Sequence, residues 1–375
     1  MRNPRFPALF GTLVLAAWMV ASGCDDLGGY KAKAIGPDGE IVVVIDTTHW
    51  KGPLGDVLRA ELAPYQATLP APEPLFDLRI STLTNDRALE YVRGRKNVVF
   101  AAPLSDDTPE ARFVRARLDS AAIERVESGQ AAVISRPDLW RQSQQVFYVV
   151  GATAGDVARA LVENGEQIRY SFQSITRQRM HENMFEKGQQ PEIEQRLLDG
   201  HGFRVDVQHD YMVAMDSTNF VWLRRVVTPD SWRSLFVWYT DEASPADLSV
   251  EWILEARNRL TRAYVNGNLG AYVSVDDRRP LESENINFLD RFGFEVRGLW
   301  HMVSDAPDGT PVAAGMGGPF VTYGFYDQAS GRTYIIDGMV FAPGFEKREF
   351  LRQMEVIAYS FKTQAEVEAS AAPKP

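Results

Sequence analysis

Cysteine is almost missing from this chain. Among 375 residues there is one, Cys24, so no disulfide forms within the chain and no set of thiolates can hold a metal. Histidine is scarce as well. The five histidines, His49, His181, His201, His209 and His301, are scattered. His181-Glu182 begins like a zinc-protease helix, but Phe185 stands where the second histidine is required. His201 and His209 straddle a predicted strand start, and ordinary polar contacts are expected for them rather than a shared metal. The sequence has no Gly-x-Ser-x-Gly elbow, no Ser-x-x-Lys and no phosphate-cradling loop ending in Gly-Lys-Ser/Thr. Asp305 to Gly309 lacks the spacing and closing glutamate of a calcium loop and reads as a turn. No catalytic residue, metal or cofactor is therefore assigned. Basic residues are outnumbered, 40 against 50 acidic ones, for a formal charge of −10. That balance argues against a nucleic-acid partner and against a face that lies on anionic lipid.

Long apolar runs are also lacking, except at the start. Arg2 and Arg5 precede an uncharged apolar run from Ala8 to Ala21, and Ala21-Ser22-Gly23 leads into Cys24. This is the order of a secretory signal with a small-residue cleavage site. The run is shorter than the roughly 20 residues that cross about 30 Å of hydrocarbon. A cysteine just after the cut resembles the lipobox of bacterial lipoproteins, although Ala21 stands where leucine is usual. The expectation is a signal peptide over 1–23 and a diacylglyceryl thioether on Cys24. The membrane would then be a partner through that anchor, and the protein a lipoprotein of the cell envelope. Removal of residues 1–23 takes away two arginines and no acid, so the formal charge goes from −10 to −12. Asp25 and Asp26 follow the cysteine, and which leaflet they favour depends on the organism. Residues 24–39, rich in Gly, Lys and Asp, read as a tether.

The fold class expected is α+β. Residues 40–154 alternate strands and helices as a mixed α/β sandwich. Ile41 to Asp46 reads as a buried strand. Gly52-Pro53-Leu54 opens a helix, Asn85 caps another, and Thr108-Pro109-Glu110 starts a third that runs to Gly129. Residues 155–200 read as a long connector helix broken at Gly165 and again at Gly188 to Pro191. Residues 201–362 read as an aromatic-rich, mostly antiparallel sheet packed with helices. One helix is placed from Ser244-Pro245, and a last amphipathic helix over Glu346 to Phe361. On that last helix, Arg348, Arg352 and their neighbouring glutamates read as a solvated, salt-bridged face. The tail 363–375 reads as disordered.

Several separated segments carry a resemblance. They are Pro70-x-Pro72-Glu73-Pro74-Leu75-Phe76, Trp222-Leu223-Arg224, Arg297-Gly298-Leu299-Trp300 and Met316-Gly317-Gly318-Pro319-Phe320. Phe341-Ala342-Pro343 with Lys347-Arg348 and Arg352-Gln353-Met354-Glu355 completes the set. Together they resemble an uncharacterised family of bacterial lipoproteins, domain-of-unknown-function family 4837, over nearly the whole chain beyond Cys24. The resemblance implies a lipoprotein and assigns no catalytic residue.

Candidate ligand contacts follow from the residue chemistry. Arg297 and Trp300 flank a glycine and could grip a carboxylate or sugar, with internal pairing as the plainer alternative. Gly317 and Gly318 could expose backbone N–H groups to an anion, or simply open a strand. Trp222, Trp232, Trp238, Trp252 and Trp300 either face a glycan or lipid or build a core. Two main functions remain. One is a non-catalytic binding or scaffolding module with a protein, peptide or glycan partner. The other is an envelope hydrolase of glycan or cell wall using carboxylates such as Asp276, Asp277, Asp327 or Asp337. A lipid or lipoprotein carrier with a deep apolar cavity is a third.

Overall fold

The computed structural model describes residues 31–371 apart from 229, 230, 243, 268 and 269. Cys24 and the signal-like segment lie outside the described residues. In chain order the first half contains β1 (Glu40–Val44), α1 (Thr47–Lys51), α2 (Pro53–Leu62), β2 (Tyr65–Gln66), β3 (Glu73–Pro74), β4 (Asp77–Ser81) and α3 (Asp86–Gly94). It continues with β5 (Asn97–Pro103), α4 (Pro109–Arg115), α5 (Ser120–Glu127), β6 (Ala132–Pro137), β7 (Gln145–Gly151) and α6 (Ala154–Phe185). The second half opens with α7 (Pro191–His201), β8 (Phe203–Arg204), β9 (Met212–Asp216), β10 (Phe220–Thr228), β11 (Ser231–Thr240) and α8 (Val250–Tyr264). It then has β12 (Tyr272–Val275), β13 (Glu282–Phe288), β14 (Arg291–Asp305), β15 (Pro311–Asp327) and β16 (Arg332–Phe341). The chain closes on α9 (Arg348–Ala358), β17 (Lys362–Thr363) and α10 (Gln364–Ala371).

The first sheet has the order β4-β1-β5-β7-β6, parallel except for the edge strand β6. Helices cover both of its faces, which is why IVVV in β1 is apolar throughout. Ile41 and Val43 meet Leu58 of α2 and Leu161 of α6, while Val42 and Val44 meet Val92 of α3 and Val114 of α4. The second sheet runs β12-β14-β15-β16-β11-β10-β9, with β13 added on β14, and its pairings are antiparallel. It too is covered on both faces. Leu235 and Val237 of β11 point to α9, and Phe236 and Trp238 to α8. The architecture is the expected α+β.

The connector departs from the sequence reading. α6 is one unbroken helix of 32 residues, about 48 Å at 1.5 Å per residue. Gly165 does not interrupt it. A methyl group there would come within 2.4 Å of the Glu61 carboxylate, so the glycine lets α2 approach closely. The break falls between α6 and α7, at Gly188, whose φ is +109°. Nor is α6 a free connector: Val157, Leu161, Ile168 and Phe172 are fully buried against the first sheet.

Four smaller corrections follow, the first two from side chains that bond locally and the last two from pairing with distant segments. The helix begun at Pro109 stops at Arg115, and Asp119 caps a new one. The helix placed at Ser244 starts instead at Val250 with Ser249 as cap, because Asp247 binds Ser244 in a turn. In the tether, Lys33 and Ile35 form bridges to Gln142 and Arg95, and Asp38 binds Lys96 and Arg179. In the tail, β17 pairs with β8 and residues 364–371 are helical.

Candidate functional site

Two of the resemblance-bearing segments, Pro70 to Phe76 and the one with Arg297, meet at α9, the buried helix between the halves. Glu73, in β3, accepts hydrogen bonds from the backbone N–H groups of Lys347 (2.7 Å) and Arg348 (3.0 Å). A carboxylate at a helix start satisfies orphan donors and meets the favourable end of the dipole. Arg348 donates to the Pro74 carbonyl at 2.6 Å and pairs with Asp77 at 2.7 Å. Arg352 donates to the Leu75 carbonyl and lies over the Phe76 ring. The solvated face expected for this helix is thus absent: Arg348, Arg352 and Glu355 are all buried. Helical spacing could not show that the other half of the protein covers it.

Next to this junction a cleft of about 740 Å³ opens between α6 and the β13–β14 hairpin. Glu166, Tyr170 and Arg177 of α6 form one wall, and Glu282, Glu284 and Asn285 of β13 the other. Its floor is built from Glu295, Arg297 and Tyr359. Strand register explains the grouping. Glu284 stands opposite Glu295, which stands opposite Tyr323, so three polar side chains line up across three strands on one face.

The floor is locked by charge. Arg297 is bound by Glu295 of its own strand and, at 2.8 Å, by Glu355 of α9. Burial alone would lower the Arg297 pKa, but the two carboxylates outweigh it and hold the guanidinium well above its ordinary value. Burial pushes Glu355 up, yet Arg297 and Arg177 reverse that and keep its carboxyl below the usual glutamate value. Tyr323 is 1% exposed and its hydroxyl has no hydrogen-bond partner among the described residues. Burial, reinforced by Glu295 and Glu355, raises its pKa well above the usual tyrosine value.

Glu284 is an exposed residue, yet the cleft withdraws water from its carboxyl. That desolvation, followed by the charge of Glu295, raises its pKa. A carboxyl with a raised folded pKa contributes stability below its unfolded value and loses it as pH rises through the folded value. Glu284→Gln is therefore expected to raise the melting temperature at pH 7 and to leave it unchanged near pH 4. Melting curves at the two values check this. An equal shift at both would mean that the proton is not involved.

Of the candidate ligand contacts read from the sequence, Arg297 alone lies in the cleft, and it is spent on two internal partners. Trp300 projects from the opposite face of β14, 1% exposed and stacked on Trp232 with centroids 5.2 Å apart. Gly317 and Gly318 lie within β15, with Gly318 opposite Trp300. A methyl group on Gly318 would come within 2.0 Å of the Val340 carbonyl oxygen, so this glycine serves close strand packing. Trp222, Trp232 and Trp238 are buried around α8 and Trp252 is half-buried beside Trp238, so these tryptophans form no exposed row.

The aspartates proposed for hydrolysis are dispersed, and none lines this cleft. Asp276 binds Arg278, Asp327 binds Arg291 and Ser330, and Asp337 is buried against Arg257 and Thr322. Asp277 is exposed. The histidine pair is also apart in role. His201 is buried against Asp216 and Tyr239, whereas His209 is exposed. His181 binds Asp206. Among the described residues no three His, Cys, Asp or Glu side chains are placed to hold a metal.

Glu284 and Glu295 were not singled out in the sequence. Finding them requires the β13–β14 register, which turns on Leu289 and Asp290, both at positive φ. An Asn-Gly pair there would have signalled the hairpin. Leu-Asp does not.

Comparison with known families divides the chain at the same point as the fold. Residues 34–185 match DUF8532 and residues 190–360 match DUF4837, each described as a domain of unknown function. The second half thus matches the family model expected from the sequence. The segment Pro70 to Phe76 and the whole of α6 fall in the first match, so the resemblance does not extend over the whole chain as one family. No curated protein matches. The Ran-binding protein Mog1p of Saccharomyces cerevisiae aligns at 10% identity over 44% of this chain and 90% of its own, with a TM-score of 0.30. A Mog1 variant aligns at 10% identity over 43% and 90%, with a TM-score of 0.29. Likeness at that level carries no argument.

Proposed function

We propose that this protein is a non-catalytic binding module of the cell envelope, tethered by lipid at Cys24, whose ligand lies in the cleft between α6 and the β13–β14 hairpin. The observation that carries the binding role is the cleft itself. Its walls offer carboxylates, Tyr170 and amide side chains, while its floor is immobilised by the Glu295–Arg297–Glu355 bonds. Rigid floors with adaptable polar walls suit recognition of a peptide or glycan. Support for the anchor comes from the order of the first 24 residues.

A hydrolase reading gains one observation, the facing of Glu284 and Glu295 across two strands. Glu295, however, is engaged by Arg297, and a bound carboxylate is a poor nucleophile or base. Binding is the stronger reading.

Two arms of one cell experiment test it. Cys24→Ser is expected to leave the fold intact and move the protein from the membrane to the soluble fraction. A photo-crosslinking residue in place of Tyr170 should give one discrete adduct in cells, weakened by Glu284→Gln. Retention of the serine variant on carbonate-washed membranes would remove the anchor. Absence of any adduct from position 170, with adducts from a control site outside the cleft, would remove the binding site.

A further inference from the structure

A second cavity, of about 510 Å³, lies at the seam on another side of α9, lined by Lys187, Gln208, His209, Asp210, Arg225 and Gln353 among others. Arg225, on its sheet wall, takes part in an anomaly of strand pairing. Arg225 of β10 stands directly opposite Arg233 of β11. Like charges facing each other across two strands destabilise a sheet. Arg225 has a counter-ion, since its Nε donates to Asp210 at 2.7 Å. Arg233 has no ion pair among the described residues.

Arg233 is nevertheless only 6% exposed. Its guanidinium lies over the Phe350 ring, 4.0 Å from the centroid, and its Nε has no hydrogen-bond partner. Burial and the charge of Arg225 pull its pKa below the ordinary arginine value. Tyr211 is buried within electrostatic reach of both arginines, and its hydroxyl is unpartnered as well. The other acids around the cavity are engaged elsewhere. Asp38 binds Lys96 and Arg179, while Asp77 and Glu349 bind Arg348. Buried cations are ordinarily paired, and a methionine would fill this position between strands without the charge.

We propose that Arg225, which lines the second cavity, binds an oxyanion together with Arg233 opposite it and the Tyr211 hydroxyl beside them, the anion being the phosphoryl or carboxylate group of a soluble ligand. Guanidinium forks suit the paired oxygens of such groups. The phenol supplies a further donor. An anion there offsets the Arg225–Arg233 repulsion. This site stands on different residues from the acidic cleft and does not depend on it.

Thermal unfolding of the full chain tests the assignment. Inorganic phosphate and succinate are titrated separately against chloride at matched ionic strength, in wild type and in Arg233→Met. Wild type should show a saturable rise in melting temperature with at least one of the two, and which one assigns the group. Arg233→Met should melt higher than wild type in chloride and lose the saturable rise. General salting by phosphate stabilises both proteins alike and does not saturate. If phosphate and succinate act equally on wild type and on Arg233→Met, the site does not exist. Should Arg233→Met fail to fold, Arg225→Gln must show the same loss of the saturable rise, and its retention there overturns the proposal.

Discussion

Asp337→Ala lowers the free energy of unfolding by about 3–5 kcal/mol, the expected cost of leaving a buried ion without its partner. Asp337 of β16 and Arg257 of α8 are both 0% exposed and meet at 2.7 Å. Thr322 donates a further hydrogen bond to the same carboxylate at 2.6 Å. Burial pushes the Asp337 pKa up, and Arg257 and Thr322 only partly offset that. The pair is thus costly to bury and costlier to break. Alanine leaves the guanidinium stacked on Phe320 with no counter-charge in the middle of the tryptophan-rich core. A protein of ordinary stability, about 5–15 kcal/mol, has little margin for such a loss. Urea unfolding measures it through the midpoint. The double variant Asp337→Leu with Arg257→Met removes both charges and should recover most of the deficit. A single variant that lost under 1 kcal/mol would show that water reaches the site.

Arg297→Met is expected to cost a similar amount, about 3–5 kcal/mol at pH 7, with a distinctive pH dependence. The change leaves Glu295 and Glu355, both buried, without the cation between them. In the wild type the Glu355 pKa is lowered. Its contribution is present above the unfolded value and fades as pH falls through the folded value. In the variant Glu355 stays desolvated and loses that cation, so its folded value rises. Its contribution is then present below the ordinary glutamate value of about 4.3 and lost as pH rises. The two proteins therefore draw together in acid and apart at neutrality. Stability curves from pH 4 to pH 8 decide the matter. A deficit that stays constant over that range would mean lost packing, not stranded charge.

Much of the fold was legible because local chemistry and tertiary structure agree. IVVVID is apolar on both faces because a parallel strand is covered on both, and Asn85 and Thr108 cap helices as their spacing implies. What was not legible depends on contacts between distant segments. Arg348 and Arg352 look like a solvated helix face until the carbonyls of Pro74 and Leu75 are brought against them. Arg297 and Trp300 look like neighbours, but three residues apart on a strand means opposite faces. The facing of Glu284 and Glu295 depends on a turn without glycine. Arg233 looks like any strand arginine until register sets it against Arg225.

The bond from Glu73 to the start of α9 spans 275 positions of chain. A ribosome must therefore add most of the polypeptide before the carboxylate meets its amides. Until then the hairpin of β2 and β3 waits with its acid in water and no mate, and the large sheet lacks one of its coverings. Such late closure makes for slow maturation and a long window of vulnerability to clumping. Any truncation that removes the final thirty or so residues should leave the early part of the molecule unfinished too.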